Sequence, residues 1–264
     1  VLERVETLDQ ITQSRFVTLY GYHHGYFDGV EREFRGFGMV EQWDSEQYAN
    51  ANNTLFDVVG ANIDETSFVP PVYTKTWFHT GFFRNRADIS NHYKTEYYGG
   101  DNAAWLLPDT LLPEGLSAAE AREACRALKG SVLRKEIYAL DGTAQQATPY
   151  TVEEKSYRVE RLQPLVGKAH ALFLVTADQA LAYHYERNAA DPRILHSLTL
   201  ETDTWGNVLK SAQVAYPRRS SSVISEQNEM LIQFTQNSFI NVDDVENQRH
   251  FIGIPCETQT FEIK

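Results

Sequence analysis

Glu31 and Glu33, in the stretch GVEREFRG, are the carboxylates whose spacing could do chemistry. On an extended strand they share a face about 7 Å apart by the strand rise. At that separation one carboxyl can act as acid and the other as base or nucleophile across a glycosidic bond. Arg32 and Arg35 offer a simpler account, a ladder of Glu and Arg neighbours matched across a sheet. His23-His24 with Asp28 and Glu31 is the sharpest candidate for a cation. Adjacent residues on a strand point to opposite faces, however, so both imidazoles reach one ion only if the strand bulges; hydrogen bonding within an aromatic sheet is the expectation. Ser220-Ser221-Ser222 followed by Glu226 and Glu229 has the residue types of an ADP-ribosyltransferase, but the serines and glutamates share one polar loop. Trp43, Trp77, Trp105 and Trp205 could stack sugars, yet they sit in separate elements and read as packing. No G-x-S-x-G elbow, phosphate loop, dinucleotide fingerprint or H-E-x-x-H occurs. The sequence therefore predicts no catalytic residue, no cofactor-binding residue and no metal ligand, and the chain reads as a protein that is not an enzyme.

Positioning these residues is the work of many strands. Runs of strand formers recur at Arg15 to Tyr22, Val30 to Trp43, Val72 to Thr80, Val132 to Leu140, Tyr157 to Leu162 and His170 to Val175. Further runs lie at Leu181 to Tyr185, Ile194 to Thr202, Val208 to Tyr216, Met230 to Phe234 and Glu257 to Ile263. Turn chemistry at Asp28-Gly29, Asp141-Gly142, Asp191-Pro192 and Gly206-Asn207 separates them, which predicts a mainly β, antiparallel protein. After Asp28-Gly29, strict alternation puts Phe34, Gly36 and Gly38 on one side and Arg35, Phe37 and Met39 on the other, so neither face is cleanly apolar.

Two helices interrupt the strands. Ser45 to Asn52 predicts a short one. Ser117 to Lys129 predicts a longer one, opened by Ser117 and Glu120 at capping-box spacing and closed at Gly130. Its Ala121, Ala124, Cys125 and Leu128 share a face that should lie on the sheet. No Pro/Ser-rich linker marks a boundary, so residues 1–264 read as a single β-rich segment, with a possible subdivision at the long excursion near 87–113.

At 264 residues the chain can bury a large core, and its formal charge of −12 argues against nucleic acid or an anionic membrane as partner. Arg218-Arg219, the one basic doublet of note, reads as a solvated loop. Cys125 and Cys256 form no disulfide framework and read as buried thiols. No apolar run reaches membrane-spanning length, the start has no signal-peptide pattern, and the chain reads as a piece of a longer polypeptide.

The segment YHHGYFDGVEREFRGFGMVEQWD resembles the middle region of the B component of bacterial Tc insecticidal toxin complexes, a family related to Rhs and YD-repeat proteins. VYTKTWFHTG, LSAAEAREACRALKGSVLRKEIYALDGT, YHYERNAADPRI, LETDTWGNVLKSAQVAYPRR and PCETQTFEI resemble successive blocks of that region in the same order. Asp203 to Leu209 looks like one degenerate YD-type repeat. The resemblance implies a curved antiparallel sheet of Rhs/YD-like strands forming part of a hollow shell, with one packed α-helix. It implies a scaffold role in the wall of the chamber that encloses the toxic payload before delivery through the A-component channel. The implied partners are the Rhs-type C component, the remainder of the B component and the assembled A component, without nucleic acid or direct membrane contact. The implied location is secreted or extracellular, within a bacterial toxin complex. The alternative is a free-standing β-rich module that binds carbohydrate or protein through its aromatics.

Overall fold

Alternation of short polar and apolar side chains builds a sheet here, and the sheet runs in chain order. The computed structural model describes residues 1–11, 15–46, 70–84, 88–167 and 170–263. Among them are strands β1 (Arg4–Leu8), β2 (Arg15–Asp28), β3 (Glu33–Glu46), β4 (Val72–Phe78), β5 (Val132–Ala139) and β6 (Thr151–Gln163). They continue as β7 (Leu172–His184), β8 (Arg193–Thr202), β9 (Val208–Ala215), β10 (Leu231–Asp244) and β11 (Arg249–Ile263). Each strand pairs antiparallel with the next, giving one open eleven-stranded sheet in the order β1 to β11. The expected mainly β, antiparallel class with one packed helix is what the chain adopts.

Several expected boundaries shift. The two runs at His170 to Val175 and Leu181 to Tyr185 are one strand, β7, bulged where Ser156 and Tyr157 pair across to Gln179 and Ala177. β1 was not foreseen, because RVETL carries too much charge to look like a strand until β2 pairs with it. Met230 to Phe234 and Glu257 to Ile263 are parts of β10 and β11, a hairpin that turns at residues 245–248. The expected short helix at Ser45 to Asn52 begins instead as the end of β3, through Glu46, and its remainder lies outside the described residues.

The β2–β3 turn also differs from the expected tight Asp28-Gly29 hairpin. Residues 29–32 form the turn, and the left-handed position falls on Arg32, at φ 53°. Asp28 Oδ1 accepts the amide protons of Val30 and Glu31, which closes the turn through its side chain. Between the pairs Phe27–Phe34 and Gly25–Phe37, two residues of β3, Arg35 and Gly36, lie opposite one of β2, Tyr26, and Gly36 absorbs the extra residue at φ 95°. This bulge places the Phe34 and Phe37 rings in edge contact at 5.2 Å, rather than on opposite sides as strict alternation had them.

The connection from β4 to β5 leaves the sheet, and its described residues, 79–84 and 88–131, lie across it. It contains α1 (Ala118–Ala127), whose Ser117/Glu120 capping box forms as expected. Ala121, Ala124, Cys125 and Leu128 are the face it buries, against Val159 with Tyr157, Phe173 and Val175. Helical turning ends before Gly130, whose amide donates to His79 O. Elsewhere in the connection, Tyr93 packs with Met39, Trp77 and Leu133, and Leu107 packs with Val152, Leu181, Tyr183 and Ile194. The expected excursion near 87–113 is thus the middle of a layer over one continuous sheet; it joins two neighbouring strands.

Candidate functional site

The layer is held to the sheet by ions as well as by apolar contact. Arg134 of β5 faces it from the sheet, nearly inaccessible, with Nε donating to Glu136 Oε1 at 2.7 Å and Nη1 to Glu154 Oε2 at 2.8 Å. Its guanidinium also lies over the Tyr97 ring, 4.7 Å from the centroid. The same carboxylates reach up to the backbone of the layer. Glu136 Oε1 accepts the Tyr98 amide at 2.9 Å and Glu154 Oε1 the Leu107 amide at 2.7 Å. Glu136 also accepts the Tyr138 hydroxyl at 2.6 Å.

Burial of these groups moves their titration. It raises the Glu154 pKa, with Arg134 opposing, and it raises the Tyr138 phenol, with the Glu136 charge adding to the effect. For Arg134 burial works against the cation, but Glu136 and Glu154 outweigh it and the charge is favoured. A second set of pins holds the far part of the layer. Trp105 N donates to Tyr183 Oη at 3.0 Å, and Asp101 accepts from Tyr185 Oη at 2.9 Å and from Arg219 Nη2 at 2.8 Å.

The β2–β3 turn is fastened to α1 in the same way. Arg35, almost wholly buried, bridges Asp28 Oδ2 at 2.8 Å and Gly81 O at 2.9 Å, while Arg122 of α1 donates to Asp28 from 3.2 Å. Burial alone would raise the Asp28 carboxyl; the Glu31 and Val30 amides, then Arg35 and Arg122, hold it below the usual range. Glu120 is the anchor at the start of α1. Its carboxylate takes the Ser117 amide at 2.9 Å, the Leu165 amide at 3.1 Å and Arg161 Nη1 at 3.1 Å, and these donors depress its pKa to about 2.

Both members of the carboxylate pair weighed for glycoside chemistry reach Arg126 of α1, Glu31 at 4.0 Å and Glu33 at 3.2 Å. Glu31 is in the turn, and Glu33 opens β3 within 2.8 Å of Lys129, which follows α1, and 3.2 Å of Arg126, with Arg35, one of the two expected partners, at 3.6 Å. His23 and His24 turn apart, His23 to Glu41 at 2.6 Å and His24 to Glu96 at 2.8 Å. Among the described residues no group of three or more His, Cys, Asp or Glu side chains is arranged to hold a metal ion.

The other candidates are also absorbed into packing and bonding. Ser220 bonds Asp191, and Ser222 donates to Gln227 at 3.0 Å. Trp77 is fully buried, Trp43 stacks on Tyr73, Trp105 meets Tyr183 and Tyr216, and Trp205 meets His250. Arg218 and Arg219 are not a solvated doublet: Arg218 binds Asp191 just before β8 at 2.9 Å, and Arg219 binds Asp101 at 2.8 Å, which ties the loop after β9 to the layer. Cys125 is buried and its thiol pKa is pushed up to about 12, whereas Cys256, expected in a loop, is exposed on β11.

The Arg134, Glu136 and Glu154 network was missed by reading charge only as surface. The signal was present. In VLRKEIYA, Arg134 and Glu136 are two apart and so share a strand face with Tyr138, a buried-face aromatic. Among the described residues no helix is long and apolar enough to cross a membrane.

Comparison with known proteins adds a family to this geometry. A model of the insecticide toxin TcdB middle/N-terminal region matches residues 1–81, and one of the TcdB middle/C-terminal region matches residues 123–257. No curated protein sequence matches significantly. Among solved structures, a crystal structure of TcdB2–TccC3–Cdc42 is similar at 30% identity and a TM-score of 0.79 over 99% of this chain. One of TcdB2–TccC3–TEV is similar at 31% identity and a TM-score of 0.77 over 99%. The Tc holotoxin pore of Photorhabdus luminescens carrying a TccC3 D651A mutation is similar at 32% identity and a TM-score of 0.78 over 99%. The chain spans only 12 to 13% of the length of those chains.

Proposed function

The chain belongs to the middle region of the TcdB insecticide toxins and is a structural segment of a Tc toxin B component; from that premise we propose that it forms part of the wall of a chamber enclosing the toxic payload, and that it has no catalytic activity of its own. The observation that carries this reading is the single open sheet of eleven strands in chain order, stiffened on one face by a pinned layer. Such a sheet can be extended at either edge, as a wall must be, because among the described residues β1 and β11 each pair on one side alone. Among the candidate chemical residues, Glu33, His23, His24 and Ser220 are engaged in ion pairs and hydrogen bonds between separate elements.

The proposed partners are the C component, the remainder of the B component and the A component of the assembled complex, at an extracellular location. The similar structures contain TccC3, and one is a holotoxin pore. The formal charge of −12 supports the absence of nucleic acid and of direct membrane contact from this segment.

Electron microscopy of the full-length polypeptide containing this segment, coexpressed with its C-type partner, tests the reading. A hollow particle with the eleven strands in its wall is expected; a compact domain standing off the particle would overturn it. A binding module remains the competing reading, favoured by one observation: a groove of about 550 Å³ lined by Leu19, Tyr20, Tyr22, Phe37 and Trp43. Saturable glycan or peptide binding, abolished by Trp43→Ala, would support that alternative.

A further inference from the structure

The two faces of the sheet differ in chemistry. Directly paired residues form rows, and one row beneath the layer runs Trp77, Arg134, Glu154, Leu181, His196 and Val214 from β4 to β9. A row on the opposite face runs Lys135, Glu153, Ala182, Leu195, Ala215 and Leu231 from β5 to β10. Beside it lie Lys155, Ala180, Ser197, Gln213, Gln233 and Glu262, and beyond them Thr199, Ser211, Thr235 and Thr260. None of these opposite-face residues belongs to the hydrophobic clusters beneath the layer.

From β5 to β11 this second face is polar and nearly neutral, whereas toward β2 the row of Lys135 continues through Thr76 and Val40 to Tyr22. In those three rows Leu195 and Leu231 are the only large apolar side chains. Lys135 and Lys155 balance Glu153 and Glu262, in a chain whose formal charge is −12. The layer's side differs, with Arg122, Arg126 and Lys129 of the α1 region set among Asp28 and Glu33.

We propose that the Ser/Thr/Gln/Ala face is the one this segment turns toward enclosed polypeptide, and that the layer of residues 79–131 lies on the outside. The inference rests on the wall reading above and adds a direction to it. A guest is held to a wall chiefly by burying large apolar side chains against it, so a lining poor in such residues leaves polypeptide free to move. Balanced charge at short spacing attracts neither acidic nor basic guests over distances beyond the Debye length. A layer on the inner side would also occupy the enclosed volume, whereas on the outer side it occupies none.

The test uses the full-length B polypeptide coexpressed with its C-type partner, with Cys256→Ser as background because that thiol is exposed. Ser197→Cys and Gln213→Cys report the polar face, and Ala127→Cys reports the outward side of α1. The probe is a polyethylene-glycol maleimide too bulky to enter a closed shell. In the assembled particle, Ser197→Cys and Gln213→Cys are expected to label about tenfold more slowly than in the B polypeptide alone, and Ala127→Cys at an unchanged rate. Protection of Ala127→Cys with free labelling of the other two overturns the direction while leaving the wall reading intact. Free labelling at all three positions in intact particles overturns the wall reading itself.

Discussion

Arg134 neutralises both carboxylates that hold the Tyr98 and Leu107 amides of the layer. Arg134→Ala leaves Glu136 and Glu154 buried without a cation and is expected to cost about 3–5 kcal/mol, read as a lower urea midpoint. Glu120 gives a pH signature of known sign. Its pKa falls from the ordinary 4.5 to about 2 in the fold, so its stabilisation is complete above pH 4.5 and disappears as pH falls through about 2. The melting-temperature gap between the parent and Glu120→Gln should therefore be constant from neutral pH down to about 4.5 and narrow below it; a gap that widens on acidification would contradict the assignment. Neither residue stood out from the sequence by charge alone. Glu120 was legible as a cap because capping is local, whereas its bonds to Arg161 and Leu165 depend on a strand far along the chain.

At the scale of elements, α1 was readable almost to the residue and the strands less so. Helix ends are written in neighbouring residues, Ser117 with Glu120 and then Gly130. Strand extents are set by partners. LVTADQALA in the middle of β7 contains Ala177, Asp178 and Gln179, which look like a break, yet β6 and β8 on either side keep it in the sheet. Bulges are equally non-local, and the one at Gly36 moved Phe34 across the sheet relative to simple alternation. Close approach of the layer to β3 fixes another element-level requirement. A Cβ on Gly38 would lie 1.9 Å from Tyr93 Oη, so Gly38→Ala must push Tyr93 out of its place beside Met39 and Trp77. The expected cost is about 1–3 kcal/mol, and tyrosine fluorescence or proteolysis within residues 88–100 should report the loosened layer.

For the whole molecule, the sheet's openness predicts how an isolated segment behaves. Among the described residues β1 and β11 have no outer partners, and β11 carries Phe261 and Ile263 about half exposed, so the 264-residue chain alone should self-associate in sedimentation experiments. A monomer at all concentrations would contradict that. The strand order has a kinetic consequence as well. Since each strand pairs with its neighbour in sequence, most of the sheet can form progressively as the chain emerges, without waiting for distant partners. The junction of β4 with β5 is different, because residues 79–131 intervene and closure of a long loop precedes any pairing there. Two half-sheets should thus mature early, and their joining, together with docking of the layer and its buried ions, should set the pace of folding.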